Sequence, residues 1–283
     1  MLAEAPMQGG LARARASAHT FFNLAAAAGQ CYLRSDSLAS RLALSRYVLK
    51  NLAARLWLSP FPQKEISFDF EDLHLSIRPS QGELYLYKEI CIDNVYTRHP
   101  DFQLRPGWCV LDVGANIGVF ALKAARGVRP GRVYAFEPNP QTYPRLLRNL
   151  EQNRAWNVSP FPVAIGSSTG TACFDPAAAS TLGRILAAGS LPSCVGLDVR
   201  VLTLADILQQ ERISVVDLLK LDVEGAEADA LRGAGTSLHK VDRIVMEYHS
   251  SELLRECTDL LGSFGFRRVA LASPGYAFFS RVS

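Results

Sequence analysis

The chain has six cysteines, at positions 31, 91, 109, 173, 194 and 257, but no CxxC pair and no His–Cys metal spacing. That scatter offers no metal cluster and reads as reduced thiols in a cytoplasmic protein, with Cys109 in the first core strand. No apolar run approaches the length of a membrane span. Phe21 to Ala28, behind Arg13 and Arg15, is the nearest thing to a signal-peptide core. The run is short and its lead-in long, so export is not expected. No block of like charge is long and the net charge is only +3, so no basic face for nucleic acid is implied. No internal repeat is visible.

What is present is enough apolar residue, nearly half of 283, for a sizeable core. The length suits one domain with an extension, or two small ones. Residues 1–64 read as a helical extension, rich in Ala, Leu and Arg and almost free of acids between Glu4 and Asp36. Leu38, Leu42, Leu44, Val48, Leu52 and Leu56 predict a helix with one apolar face, ended by Ser59-Pro-Phe-Pro62. That segment is readable as a packed cap, a substrate lid or the contact of a homodimer. Residues 65–107 change period. Ile66, Phe68 and Phe70 alternate, then Leu73, Leu75 and Ile77, then Leu84 and Leu86, which predicts a small antiparallel β-meander and a leading segment.

From 108 to 283 strands and helices alternate, which argues a parallel sheet covered on both faces. Strands are expected at 109–113, 132–136, 161–165, 216–221 and 243–247. Residues 171–174 and 198–202 are expected to form an extra hairpin, and 266–271 with 276–282 a closing one around Ser273-Pro-Gly275. A final antiparallel pair is a poor match to a dehydrogenase, whose sheet is all parallel. It matches a seven-stranded, Rossmann-like methyltransferase sheet, mostly parallel with an antiparallel final strand. Ligands of such sheets sit beyond the carboxyl ends of the strands.

The polar residues of this chain fall there. Val110-Leu-Asp-Val-Gly-Ala-Asn-Ile-Gly118 is a buried strand, a tight glycine turn and a helix start. Gly114 suits a turn where a Cβ would clash, and Gly118 lets the next helix approach closely. The spacing is D-x-G-x-x-x-G, not the G-x-G-x-x-G of a dinucleotide site. An acid before the turn repels a pyrophosphate and welcomes an ammonium. S-adenosylmethionine carries an α-ammonium for Asp112 and an α-carboxylate for the amide turn and helix N-terminus. Glu137, 19 residues past Gly118, is placed to accept both ribose hydroxyls. Ala164, at the third strand's end, could face the adenine ring.

Leu218-Leu-Lys-Leu-Asp222-Val-Glu224-Gly225-Ala-Glu227 is the second signal. Acids leaving a buried strand need a partner; ligand or acceptor is expected to supply it. Glu227 reads equally as a first-turn acid favoured by the helix dipole. Glu247-Tyr-His249 follows the fifth strand. A histidine accepts an alcohol proton near neutral pH, so His249 is the candidate base, with Asp222 or Glu224 as orienter or replacement. Asp222, Glu224, Glu247 and His249 follow no metal-site spacing, and no metal is expected.

Taken together, VLDVGANIGVFAL, AFEPNPQTYPRLLRNLEQN, LLKLDVEGAE and IVMEYHS resemble the FkbM-type S-adenosylmethionine-dependent methyltransferases over residues 83–282. The resemblance implies O-methylation of a sugar or of a polyketide- or peptide-derived small molecule. It implies a donor cradle of Asp112, Gly114, Ala115, Asn116, Gly118, Glu137, Pro138, Asn139, Ala164 and Asp222. Its KEICIDNVYTR entry segment also places Tyr87, Glu89 and Tyr96 near the site, and Glu247 is a further candidate for contact with the acceptor. The first 60 residues fall outside the pattern.

Overall fold

The computed structural model describes residues 25–55, 65–70, 73–78, 82–175, 184–186, 197–269 and 275–282. They belong to two compact units, Met1–Lys88 and Glu89–Ser283; the division falls inside the segment expected at 65–107.

In the first unit, helix α1 is described over 25–33 and α2 spans Leu38–Arg55. Strands β1 (Ile66–Phe70) and β2 (Leu73–Ile77) pair antiparallel, with Ile66 opposite Ile77. Their alternation buries Phe68, Phe70, Leu75 and Ile77, as the period of two requires. The Ser40 hydroxyl of α2 receives the Asp69 N–H at 2.8 Å. The helix buries only part of its predicted apolar face. It buries Leu44 with Ser40, Tyr47 and Asn51, and leaves Leu38, Leu42 and Leu52 exposed. The buried row lies about half a turn round the helix from Leu38 and Leu42, so hydrophobicity alone grouped leucines that stand on two sides. The meander's expected third strand is also absent: 83–87 form helix α3 (Glu83–Tyr87). Gly82, left-handed at φ 79, starts the turn, and the buried Glu83 carboxylate accepts the Arg78 N–H. Two alternating pairs of residues are too few to separate a period of 2 from 3.6.

The second unit carries β3 (Cys109–Val113), α4 (Val119–Gly127), β4 (Arg132–Phe136), α5 (Tyr143–Gln152) and β5 (Val158–Phe161). Next come β6 (Ala164–Ile165), β7 (Gly170–Asp175), β8 (Arg184–Leu186) and β9 (Leu197–Leu202). The chain closes with α6 (Leu204–Gln210), β10 (Leu218–Leu221), α7 (Glu227–Ala234), β11 (Arg243–Glu247), α8 (Ser251–Ser263), β12 (Phe266–Arg268) and β13 (Tyr276–Arg281). A seven-stranded sheet runs β12-β13-β11-β10-β3-β4-β5. β13 pairs antiparallel with both β11 and β12, while β11, β10, β3, β4 and β5 are mutually parallel.

The strand expected at 161–165 is split. Val158–Phe161 stays in the main sheet, while Ala164–Ile165 joins a four-stranded sheet of order β6-β9-β7-β8. Pro162 between them has no N–H to continue a ladder. The expected pairing of 171–174 with 198–202 is present as β7 against β9. Cys31, Cys91, Cys109 and Cys257 are thiols, but Cys173 of β7 is disulfide-bonded. That corrects the reading of all six as reduced thiols: their spacing alone could not show which thiols the fold brings together.

Along the central strands alternate residues face opposite sides. Leu111, Val113, Leu219, Leu221, Ile244 and Met246 join a core with residues of α6, α7 and α8. On the other side of the sheet, Lys220 stands against the Tyr96 and Phe120 rings, and Phe278 meets Phe102 edge-on. Among the described residues no helix is long and apolar enough to cross a membrane.

Candidate active site

The glycine turn is built against the end of β10. Gly114 has φ 82, and a Cβ there would stand 1.8 Å from the Asp222 carbonyl oxygen. Only glycine fits both the angle and the space. Asn116 is also left-handed, at φ 51, a conformation Asn tolerates better than most residues. The turn's own amides are already used. Gly114 and Ala115 donate to the Phe136 carbonyl, Asn116 to Glu137 Oε2 and Ile117 to the Asn116 side chain. Gly118 N–H donates back to Ala115. The expectation that these amides receive a carboxylate is therefore corrected: closing the loop on β4 consumes them.

Glu137, at the end of β4, is buried. Its Oε2 accepts the Asn116 N–H and its Oε1 the Asn139 N–H, each at 2.8 Å. Burial pushes its carboxyl up to about 7, against the pull of those two amides. A carboxylate offers about four acceptor positions, so two remain for a diol. Pro138 connects Glu137 to Asn139.

Asp112 and Lys220 are register partners on adjacent parallel strands, so their side chains leave the same face. Lys220 Nζ lies 3.0 Å from Asp112 Oδ1 and 3.5 Å from Asp222 Oδ2, and donates to the Gly114 carbonyl at 2.7 Å. Both members of the pair are buried, Asp112 completely. Burial works to lower the Lys220 ammonium, but Asp112 and Asp222 outweigh it and hold it above its ordinary value. Asp112 thus already has a cation. The expected partner was the donor's ammonium; in the structure Asp112 faces an internal lysine that ties β3, β10 and the glycine turn together. Lys220 was missed, although a lone Lys inside the apolar run LLKL was a usable signal, since a buried charge needs a partner.

Beyond β10 the chain turns sharply, with Glu224 at φ 54 and Gly225 at φ 103. A bulky non-glycine residue in that region stores about 1–3 kcal/mol of strain. Glu227 Oε1 accepts the N–H groups of Val223 and Gly225 at 3.2 and 3.3 Å, so Glu227 braces this turn. The Tyr96 hydroxyl lies 2.9 Å from Asp222 Oδ2 and 3.1 Å from Glu247 Oε2. His249 Nε2 lies 3.2 Å from Glu224 Oε2 and 3.9 Å from Glu247 Oε1. Burial, then Asp222, pushes both Glu224 and Glu247 up to about 7. Glu89 adds to the negative field on Glu247.

The structure thus gathers Asp112, Asp222, Glu224, Glu247, His249, Tyr96 and Glu89 around the ends of β3, β10 and β11. Ala164 is packed with Phe174, Val199 and Val201. Tyr87 lies in the first unit, buried and stacked on Phe70 at 4.1 Å between centroids.

Glu137, Glu224 and Glu247 are three carboxyls kept near 7 by burial, and they suit a ligand that brings positive charge and a diol. S-adenosylmethionine brings both. A seven-stranded sheet with its last strand antiparallel, and acids at the ends of its central strands, defines a class I methyltransferase. Residues 112–278 match the methyltransferase FkbM domain. The chain is 32% identical over 223 residues to 31-O-demethyl-FK506 methyltransferase FkbM of Streptomyces tacrolimicus, covering 68% of this chain and 85% of that one. It is 29% identical over 152 residues to hexuronic acid methyltransferase AglP of Haloferax volcanii, covering 53% and 59% of the two chains. Among solved structures, TYW2 of M. jannaschii in complex with AdoMet aligns at TM-score 0.41 and 16% identity, over 78% of this chain and 88% of that one. The chain belongs to the FkbM methyltransferase family and is an S-adenosylmethionine-dependent methyltransferase.

Proposed function

We propose that this enzyme methylates a hydroxyl of a sugar or of a polyketide- or peptide-derived small molecule, with His249 as the base. The observation that carries the reading is the placement of His249: half-exposed at the end of β11, its Nε2 3.2 Å from Glu224 Oε2. An Nε2–H aimed at Glu224 leaves the Nδ1 lone pair to receive the hydroxyl proton. The bound donor supplies a methyl carbon activated by sulfonium. The chain's task is alignment of the two reactants and removal of one proton.

Glu137 is assigned to the ribose hydroxyls through its two spare acceptor positions. The first turn of α4, behind Gly118, takes the donor's carboxylate, because the turn's own amides are occupied. Asp222 faces the donor's positive end, and Asp112 acts through Lys220. Two named relatives support the acceptor class, one acting on a hexuronic acid and one on 31-O-demethyl-FK506. A homodimer through the N-terminal helices is supported by the exposed leucines of α2, and size-exclusion chromatography reads it directly.

The test combines mass spectrometry of candidate acceptors after incubation with the donor and kinetics of His249→Ala. Turnover should fall by about 100-fold or more while donor affinity by calorimetry stays near that of the parent. Full turnover in His249→Ala would put the base elsewhere.

A further inference from the structure

Tyr96 is enclosed, 4% exposed, between carboxylates from two adjacent parallel strands. Its hydroxyl is 2.9 Å from Asp222 Oδ2 and 3.1 Å from Glu247 Oε2. A phenol carries one proton, so it donates along only one of these contacts. An ionised carboxylate on the other would face a phenol lone pair at hydrogen-bond distance, which is repulsive. Both contacts close only when one carboxyl is protonated and donates to the phenol oxygen. Burial, Asp222 and Glu247 hold the phenol's own proton firmly, far above its ordinary range.

Position decides which carboxyl holds the extra proton. Asp222 has the Lys220 ammonium 3.5 Å away. Glu247 has His249 at 3.9 Å. Besides Tyr96, the charged and titratable groups facing Glu247 are Asp222, His249, Glu89, Lys220 and Tyr276. Two of these are acids, and Lys220 is held nearer to Asp112 and Asp222 than to Glu247.

We propose that Tyr96 is a positioning residue that keeps one proton on Glu247 beside an ionised Asp222, in a chain Glu247→Tyr96→Asp222 that ends on Lys220. Glu247 donates to the phenol oxygen and the phenol donates to Asp222. The arrangement fixes which wall of the site is anionic, and a neutral Glu247 leaves the acceptor's proton to His249. That last consequence rests on His249 being the base; the proton count does not.

The test is infrared difference spectroscopy of the full-length, donor-free protein at neutral pH. The protonated-carboxyl C=O band of the parent should lose one component in Glu247→Gln, while the components of Glu137 and Glu224, also raised to about 7, remain. The disappearance of the Glu247 component with rising pH gives a midpoint, which Tyr96→Phe should lower by about one pH unit, the equivalent of one lost hydrogen bond. Three outcomes would overturn the proposal. One is the absence of any such band. Another is a band removed by Asp222→Asn but not by Glu247→Gln. The last is a Tyr96→Phe protein whose midpoint is unchanged or raised, because Tyr96 would then be packing only or would donate to Glu247 rather than accept from it. Loss of the His249 reading leaves the band untouched, so the two failures are distinguishable.

Discussion

Glu137 holds the glycine turn and the turn after β4 through two amide hydrogen bonds and keeps two acceptor positions in reserve. Replacing it with Ala removes both functions. Glu137→Ala should weaken donor binding by about 10- to 100-fold, the scale of one or two hydrogen bonds to a charged group. Calorimetry reads this, and unchanged affinity would remove Glu137 from the ribose. Lys220 is a different case, since it touches no assigned ligand atom. Lys220→Met strands Asp112 as a buried charge, and urea denaturation should show a loss of about 3–5 kcal/mol. Adding Asp112→Asn should recover part of that loss, since the uncompensated charge goes with it. Glu137 was readable from the sequence because its distance from the turn is a chain-local quantity. The partner of Lys220 was not, because Asp112 lies 108 residues earlier and the pairing exists only through the register of β3 with β10.

At the scale of elements, the strand–turn–helix from β3 to α4 is packed against the turn after β10. Gly114 is where they touch. Gly114→Ala forces a Cβ into the Asp222 carbonyl at a φ of 82. It should destabilise the protein by about 3 kcal/mol or more, read as a lowered denaturation midpoint; a melting curve equal to the parent's would mean the turn can move aside. The elements that local pattern described well were strongly bounded: β3, β4 and β11 have the residues expected of them. The errors fell where the pattern was short or a backbone group decided. Pro162 broke the third strand, Gly82 turned a supposed strand into α3, and α2 buried Leu44 but left Leu38, Leu42 and Leu52 exposed.

For the whole molecule, Glu137, Glu224 and Glu247 are each raised from 4.5 to about 7. A folded-state value above the unfolded one means the native state binds more protons across that window. Their contribution to stability is therefore present below about 4.5 and lost as pH rises through about 7. The donor-free protein should show a falling melting temperature between about pH 5 and pH 8, and the cationic donor should bind more tightly at the alkaline end. Calorimetry in buffers of different ionisation enthalpy should show proton release on binding. A flat profile in both measurements would mean that these carboxyls titrate as exposed groups do.

The sequence by itself determined the alternation of strand and helix, the glycine turn, the acids at the strand ends and the family. Each of these is written in short-range terms: period, backbone freedom and spacing along the chain. Only the tertiary structure decided that Asp112 faces Lys220, that the turn's amides close the loop, and that Tyr96 joins Asp222 to Glu247 across 126 and 151 residues of chain. Those pairings arise from the register and order of strands, and a buried charge takes as partner whatever side chain the neighbouring strand sets beside it.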